Sequence, residues 1–179
     1  MDKFEKEFYN EIIYQNIGEI TQDEIKASLD KSGAFAEMLT PYWLYYYKWK
    51  NDGLHINNVL GKWMIFGTCA ITEKARKELV EKEICPIVKI PNPEKKKVGV
   101  TCFYCTKDKI IECAEILLRY NLIKRTKSGA YQSIAFKYEE QTKNNEYNKD
   151  FKAKLSLGDL FDLATGELKE NIDIKLFSN

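Results

Sequence analysis

The side chains that offer chemistry in this sequence are lysines, hydroxyls and aromatic rings, and not a nucleophile paired with a histidine. His55 is the only histidine, and it lies in a loop rich in Asn and Gly, with no Ser or Cys partner that the sequence assigns. The chain contains neither a phosphate-binding loop nor a G-x-G-x-x-G segment, so it does not support ATP hydrolysis or Rossmann-type dinucleotide binding. An enzyme built on this chain would therefore work without imidazole.

Cys102 and Cys105 form the single C-x-x-C pair, which would suit a metal or redox site if both sulfurs met. An offset of three along a strand sends the two side chains to opposite faces, and no second Cys pair or His pair follows to complete a zinc site. The sequence therefore predicts two small buried residues and no metal site here. Glu112 and Glu115 share a helix face with Arg119, which predicts a solvated ion-pair network and not a two-metal site.

Lysines inside otherwise apolar strands are stronger candidates for a functional site than these cysteines and glutamates. Lys62 and Lys89 each interrupt a run of apolar residues, and such a lysine either extends its amine past a sheet edge or lines a pocket. Further polar groups surround the last predicted strand of the core: Lys127, Ser128, Tyr131, Gln132 and Glu139. They would lie on a sheet face or at its rim.

An aromatic segment precedes these strands. Residues 41–49 read PYWLYYYKW, and seven of the nine are Tyr, Trp or Leu, a composition that favours a partly buried strand. Both faces of that strand would be aromatic, with Tyr45 and Tyr47 on the same one. The strand is either sandwiched between the sheet and the N-terminal helices or exposed as an aromatic wall for a base or a cation.

Two segments share the plan strand, helix, strand, and they define the predicted core. Together they predict an α+β fold, a ferredoxin-like βαββαβ sheet layer with two helices on one face. The predicted elements are strands at 61–66, 85–90, 98–105 and 131–138, a helix at 73–82 capped by Thr72, and a helix that begins after Thr106 and stops at Asn121. The predicted buried residues of the two helices are Ala75, Leu79, Ile110, Ala114, Leu117 and Leu118.

An N-terminal extension precedes this core. Apolar spacing in residues 2–17, followed by a capping box at Thr21 and Glu24, predicts two amphipathic helices. We therefore divide the chain into residues 1–58, with these helices and the aromatic strand, and residues 59–179, with the core and a C-terminal extension.

The C-terminal extension is more mixed. Residues 139–150 are polar and predict a mobile loop. Ser156 and Asp159 then form a capping-box pattern that predicts a short helix. Alternating apolar residues at 172–176 predict a final edge strand.

Composition limits the class of protein. Of the 179 residues, 44% are hydrophobic and 31% are charged, with a formal net charge of +1, so the chain should fold but lacks long-range attraction for nucleic acid. No segment has the apolar length that crosses a bilayer, and the first residues lack a signal-peptide pattern. The five cysteines are odd in number and follow no disulfide framework. We expect a cytoplasmic protein without stable nucleic-acid or membrane partners.

Three segments resemble the phage S-adenosylmethionine (SAM) lyases and their CRISPR-associated relatives that act on SAM-AMP. They are the run CTKDK at 105–109 with the helix after it, the stretch 126–138, and the segment LSLGDLF at 155–161. The resemblance implies a homotrimer with sites between subunits, and a lyase without metal or cofactor. In that chemistry the carboxylate of the substrate attacks its own γ-carbon, giving homoserine lactone and methylthioadenosine, while the enzyme folds the substrate and stabilises its charges. With SAM-AMP, the activity would switch off a second messenger of antiviral defence.

The resemblance also suggests which residues form the site. Aromatic rings suit a sulfonium and an adenine, and lysines suit a carboxylate and a phosphate. Catalytic or orienting roles are assigned to Gln132, Glu139 and Lys89. Substrate-binding roles are assigned to Tyr45, Tyr47, Lys62, Trp63, Lys127, Ser128 and Tyr131.

A second resemblance leaves the function open. The strand segments at 61–66, 88–90 and 131–138 are similar to those of phosphothreonine lyase-domain proteins with a cap-binding-factor-like fold. That family would make Lys62 and Lys89 ligands for an anion. A non-catalytic module that binds a nucleotide or a phosphate is the remaining alternative.

Overall fold

The computed structural model describes residues 36–39, 42–47, 59–68, 73–95, 98–147 and 149–177. The predicted N-terminal helices, Thr72, and His55 with its loop lie outside the described residues. The described chain forms one antiparallel sheet with several helices, which confirms the predicted α+β class. None of the described helices is both long and apolar enough to cross a membrane.

Seven strands and four α-helices make up the regular structure of the described residues. The strands are β1 (Ala36–Leu39), β2 (Trp43–Tyr47), β3 (Val59–Thr68), β4 (Ile87–Pro91), β5 (Val98–Thr106), β6 (Ala135–Tyr138) and β7 (Leu155–Ser156). The helices are α1 (Glu73–Glu81), α2 (Ile110–Arg119), α3 (Glu139–Lys143) and α4 (Leu157–Leu160). Short 3-10 turns occur at Lys107–Lys109 and Ile174–Phe177.

The strands lie in the order β1-β2-β4-β5-β3-β6-β7, and every neighbouring pair is antiparallel. Two strand–helix–strand units, β3–α1–β4 and β5–α2–β6, supply four consecutive strands of this sheet. The aromatic strand, β2, pairs with β4 and so extends the sheet sideways. The backbone ladder therefore joins the described part of region 1–58 directly to region 59–179.

Strand register divides the central residues between two faces of the sheet. Trp63 on β3 lies in register with Phe103 on β5 and Phe136 on β6, and this row faces the helices. One residue earlier, Lys62 lies beside Lys137 on the opposite face. Because side chains alternate along a strand, the register that buries an apolar row under α1 and α2 also places lysines on the other face.

The helix-facing core is built around Trp63, whose side chain is completely buried. Its indole N–H donates to the carbonyl oxygen of Ile110 at the start of α2, with 3.0 Å between nitrogen and oxygen. Phe136 meets the indole edge-on, with 5.2 Å between ring centroids. The predicted buried residues are confirmed in this core: Ala75, Leu79, Ile110, Ala114, Leu117 and Leu118. Asn121, the predicted stop of α2, has the left-handed φ of 52° that is common after a helix.

The C-terminal residues differ from the prediction of an edge strand. Residues 172–176 alternate as a strand would, but Ile174–Phe177 form a 3-10 turn. Tyr138 donates its hydroxyl to the carbonyl oxygen of Leu176 and so binds this turn to the end of β6. Alternation shows which residues are apolar, whereas a strand also needs a neighbour with which to form a ladder.

A cluster of charged and polar groups joins α1 to the end of α2. Glu78 accepts hydrogen bonds from the Tyr120 hydroxyl at 2.6 Å, from the Arg119 guanidinium at 2.9 Å and from Lys82 at 3.1 Å. The hydrogen bonds from Tyr120 and Lys82 lower the pKa of Glu78 to about 2. Arg119 thus pairs with Glu78 on the other helix and Glu112 pairs with Lys109, in place of the network predicted between Arg119 and the glutamates of α2.

Trp63→Phe should lower the free energy of unfolding by about 1–3 kcal/mol, because the Ile110 carbonyl loses a buried donor and the smaller ring leaves a gap. Urea denaturation followed by circular dichroism measures the change. Trp43→Phe is the matched control, because Trp43 lies on the other face and is only partly buried. An equal loss in both variants would contradict the central role of Trp63 in the core.

Glu78→Gln tests the charge cluster between the helices. The pKa of Glu78 is lower in the folded protein than the 4.5 that is usual for a glutamate. The charge therefore contributes stability that is fully present above about pH 4.5 and is lost as the pH falls toward about 2. Solvent screens the exposed partners Arg119 and Lys82, so we expect a loss of about 1 kcal/mol near neutral pH. Thermal unfolding of the two proteins should converge in acid, and a pH-independent difference would refute the assignment.

Candidate functional site

A pocket of about 260 Å³ opens on the face of the sheet that points away from α1 and α2. Strands β2 to β6 form its floor, and the segment after α3 forms one side. Its charged lining residues are Lys62, Lys89, Lys137 and Glu146, and its aromatic ones are Trp43, Phe66, Tyr104, Tyr147 and Phe151. The pocket therefore combines positive charge with ring surfaces.

The three lysines reach the pocket because of strand register. Lys62 and Lys137 are direct neighbours across β3 and β6, and Lys89 on β4 lies opposite Cys102 on β5. In the described sheet, each of these lysine-bearing strands has a neighbour on both sides. The amines therefore cannot reach solvent by extending past a sheet edge, and of the two alternatives for Lys62 and Lys89 the structure favours the pocket.

All three lysines are largely buried, with 7%, 5% and 3% of the residue exposed for Lys62, Lys89 and Lys137. An enclosed ammonium is costly unless other groups replace its water. The Nζ of Lys62 forms an ion pair with Glu139, 3.0 Å from Oε1. The Nζ of Lys89 lies 4.2 Å from the centroid of the Trp43 ring. A carboxylate and a ring face thus replace water around these two ammonium groups.

Lys137 has a different environment. Its Nζ donates to the carbonyl oxygen of Glu146 at 2.5 Å. It also lies 3.4 Å from the centroid of the Tyr147 ring and 5.5 Å from that of Phe151. Burial lowers the pKa of Lys137, and the positive charge of Lys62 lowers it further. Lys137 therefore loses its proton more readily than an exposed lysine does.

One wall of the pocket comes from Glu146, Tyr147 and Phe151. The first two belong to the segment 139–150, which the sequence predicts to be a mobile loop. Part of this segment instead forms α3, and Gln141 in that helix is completely buried. Its side-chain amide donates to the Glu146 carboxylate at 2.7 Å and to the Lys152 carbonyl at 3.0 Å. Gln141 is thus a polar residue whose amide bonds to other protein groups, and composition alone does not distinguish this from bonding to water.

Several residues that the sequence singles out meet at this pocket. Lys62 and Lys89 line it, and Glu139 is bound to Lys62. The ring of Tyr45 lies 5.5 Å from the Nζ of Lys89, and Tyr47 is two residues further along β2. Each tyrosine exposes only 1% of its surface, and neither is part of the pocket lining, so neither offers a ligand an open ring.

Other residues assigned to the site lie elsewhere. Trp63, Lys127, Ser128, Tyr131 and Gln132 are not part of the pocket lining. Trp63 points toward the helices, because it is one residue out of phase with Lys62. The backbone N–H of Tyr131 bonds to the carbonyl of Leu163, so β6 begins only at Ala135 and not at the predicted residue 131. The polar turn before β6 is therefore separate from the pocket.

The pocket also contains residues that are not among the sequence candidates. Lys137 carries the same signal as Lys62 and Lys89, a lysine within an otherwise apolar strand, and that signal could have identified it. Glu146, Tyr147 and Phe151 belong to a polar segment. They carry no local signal, because only the folded chain places them against Lys137.

Three cysteines from distant parts of the chain meet in the helix-facing core. The Sγ of Cys85 lies 3.2 Å from that of Cys113 and 3.8 Å from that of Cys105, and all three residues are completely buried. Cys102 lies in the pocket on the other face, which confirms that the two cysteines of the C-x-x-C pair point in opposite directions.

These three sulfurs lie close enough together to hold a metal ion, which the sequence does not predict. Burial raises the pKa of the Cys85 and Cys105 thiols. Although burial of Cys113 acts against it, hydrogen bonds from the other two lower its pKa to about 6. No fourth ligand among the described residues completes a tetrahedral zinc site. We assign the three cysteines to core packing.

No protein-family model, curated protein or solved structure matches this chain. The fold and the pocket therefore define its class. It is an α+β protein with an antiparallel sheet, and the sheet face away from α1 and α2 carries a positively charged, aromatic pocket. The particular function has to follow from the chemistry of that pocket.

Proposed function

We propose that the pocket binds a small anionic ligand with a planar ring system, the class to which nucleotides belong. One observation carries this proposal: three buried lysines converge in a single pocket lined by aromatic rings. A phosphate or carboxylate placed among the three amines would offset the cost of enclosing their charges. Lysine acts as a point charge toward phosphate and does not require the bidentate geometry that arginine provides.

Exposed rings at the rim of the pocket suit a planar base. Phe66 exposes 66% of its surface and Tyr147 exposes 50%. A base stacked on an aromatic side chain gains about 1–3 kcal/mol. The volume of about 260 Å³ is below the roughly 300–1,000 Å³ of pockets for drug-sized ligands. One phosphate or one ring would therefore occupy the pocket, and the rest of the ligand would lie along its rim.

Within this class, the specific activity that we propose is a metal-independent lyase acting on SAM-AMP or SAM. Its support is the sequence resemblance together with the meeting of Lys62, Lys89 and Glu139 at the pocket. The substrate carboxylate forms a bond to the γ-carbon, the carbon–sulfur bond breaks, and its electron pair stays on the sulfur of methylthioadenosine or its AMP adduct. The two lysines would orient the carboxylate and the phosphate, and the rings would hold the adenine.

We further propose that the four central strands form a ferredoxin-like core, which the strand order β4-β5-β3-β6 supports. A homotrimer would complete each site with a neighbouring subunit, and the activity would switch off a CRISPR second messenger. A phosphothreonine lyase is the alternative enzyme, since it would use Lys62 and Lys89 for the phosphate of a protein substrate.

Lys89→Met should weaken the binding of AMP about tenfold or more, because an enclosed charge no longer faces the phosphate. Isothermal titration calorimetry measures the affinity. Lys127→Met is the matched control, since Lys127 is exposed and lies outside the pocket. Its affinity should stay within about twofold of the parent. If both variants lost affinity equally, the site would lie at the polar turn and the pocket proposal would fail.

Lyase activity is tested with SAM-AMP and, separately, SAM, each in the presence of a chelator. We expect homoserine lactone together with methylthioadenosine or its AMP adduct, detected by liquid chromatography and mass spectrometry. Lys62→Met should slow product formation by about tenfold or more, because the substrate anion loses its orienting charge, and Lys127→Met should not.

Three other results would change the conclusion. Tight AMP binding without turnover of either compound would reject the lyase and leave a non-catalytic nucleotide-binding module. Elimination of phosphate from a phosphothreonine peptide, without turnover of SAM-AMP or SAM, would favour a phosphothreonine lyase. Light scattering that shows an active monomer would reject the shared trimeric site.

A further inference from the structure

Lys137 is the most enclosed of the three pocket lysines, and its surroundings differ from those of the other two. Its direct neighbour on β3 is another cation, Lys62. Lys62 has the Glu139 carboxylate at 3.0 Å, whereas the Lys137 amine donates to a neutral group, the carbonyl of Glu146. A carbonyl oxygen accepts a hydrogen bond from an amine as well as from an ammonium. This contact therefore does not require Lys137 to carry a charge.

Some of the influences on Lys137 favour its neutral amine, and others favour its charged ammonium. Burial and the positive charge of Lys62 favour the neutral amine and together lower the pKa of Lys137. The groups that favour the ammonium are Glu139, Glu146 and Cys102, together with the two rings beside the amine. Because burial is the largest influence, a larger fraction of Lys137 is neutral near pH 7 than of a solvated lysine. Desolvation next to a second cation is a recognised way to activate a lysine as a nucleophile.

We propose that Lys137 is a nucleophilic amine that forms an imine with the carbonyl group of an anionic ligand bound in the pocket. This inference rests on the anion-binding function proposed above and not on the lyase activity, since SAM and SAM-AMP carry no aldehyde or ketone. The class of ligand is a small aldehyde or ketone that carries a phosphate or a carboxylate. Lys62 and Lys89 hold the anionic group, and the position of Lys137 in the lining places its amine beside the rest of the ligand.

The covalent step balances without a further reactant. The lone pair of the neutral amine attacks the carbonyl carbon, and the carbonyl oxygen takes up a proton to give a carbinolamine. That oxygen then leaves as water together with the two hydrogens of the amine, and a carbon–nitrogen double bond remains. The neutral imine that results can then take up a proton from water, and the neighbouring ring faces stabilise the positive charge that this creates.

Pyridoxal 5′-phosphate is the probe for this step, because it combines an aldehyde, a phosphate and a planar ring. The full chain is incubated with a small molar excess near neutral pH, reduced with borohydride to fix the imine as a secondary amine, and mapped by mass spectrometry. We expect Lys137 to be labelled about tenfold or more faster than exposed Lys127 and Lys152, because binding of the phosphate in the pocket raises the local concentration of the aldehyde at its amine. Added AMP should protect Lys137 and leave the two exposed lysines unaffected.

Lys137→Arg keeps the positive charge but cannot form an imine. It should abolish labelling in the pocket, whereas Lys127→Arg, at an exposed residue outside the pocket lining, should leave the labelling of Lys137 unchanged. The labelling map of the unaltered protein needs no variant, so the test stands even where a substitution prevents folding.

The outcomes separate this inference from the binding function on which it rests. Labelling of exposed lysines alone, with AMP affinity intact, overturns the imine and leaves anion binding in place. A label on Lys62 or Lys89 in place of Lys137 also overturns the assignment. If the unaltered protein neither binds AMP nor is labelled in the pocket, both proposals are rejected.

Discussion

The alternation of side chains along β3 is the constraint on which both faces of this protein depend. β3 pairs with β5 on one side and β6 on the other, so its register sets that of the sheet centre. Trp63 is held on the helix side by its bond to Ile110 and by Phe136. A slip of one residue would bring the Lys62 ammonium among apolar helices and the indole onto the pocket face. Core packing therefore fixes where the lysines lie.

Enclosing three lysines on one face opposes folding, and the structure offsets that cost locally. A carboxylate, ring faces and a backbone carbonyl replace water around the amines. A ligand that supplies negative charge to the folded pocket, and not to the unfolded chain, would stabilise the protein by mass action. Binding and stability are thus linked through the same three side chains. A positively charged interior without a functional use would be an unexpected arrangement in a sheet otherwise lined by apolar and aromatic residues.

Local patterns predicted much of the fold and only part of the site. The two strand–helix–strand units, the buried residues of α1 and α2, and the capping box of Ser156 with Asp159 all appear in the structure. Lys62 and Lys89 were identifiable because a lysine within an apolar strand is unusual. The turn around Lys127 is rich in polar residues, but polar turns are exposed whether or not they bind a ligand. The sequence does not predict the wall that carries Glu146, because a polar segment has the same composition whether its groups bond to water or to one another.

The sequence by itself determined which residues alternate along each strand, which helix faces are apolar, and that the two cysteines of the C-x-x-C pair point apart. These are local properties, set by the geometry of a few consecutive residues. Only the tertiary structure decided that Lys62 and Lys137 stand side by side, that three distant cysteines meet, and that residues 172–176 form no strand. The physical reason is that strand order and register depend on the sum of contacts between segments far apart in the chain. The pattern of residues within one short segment does not specify those distant contacts.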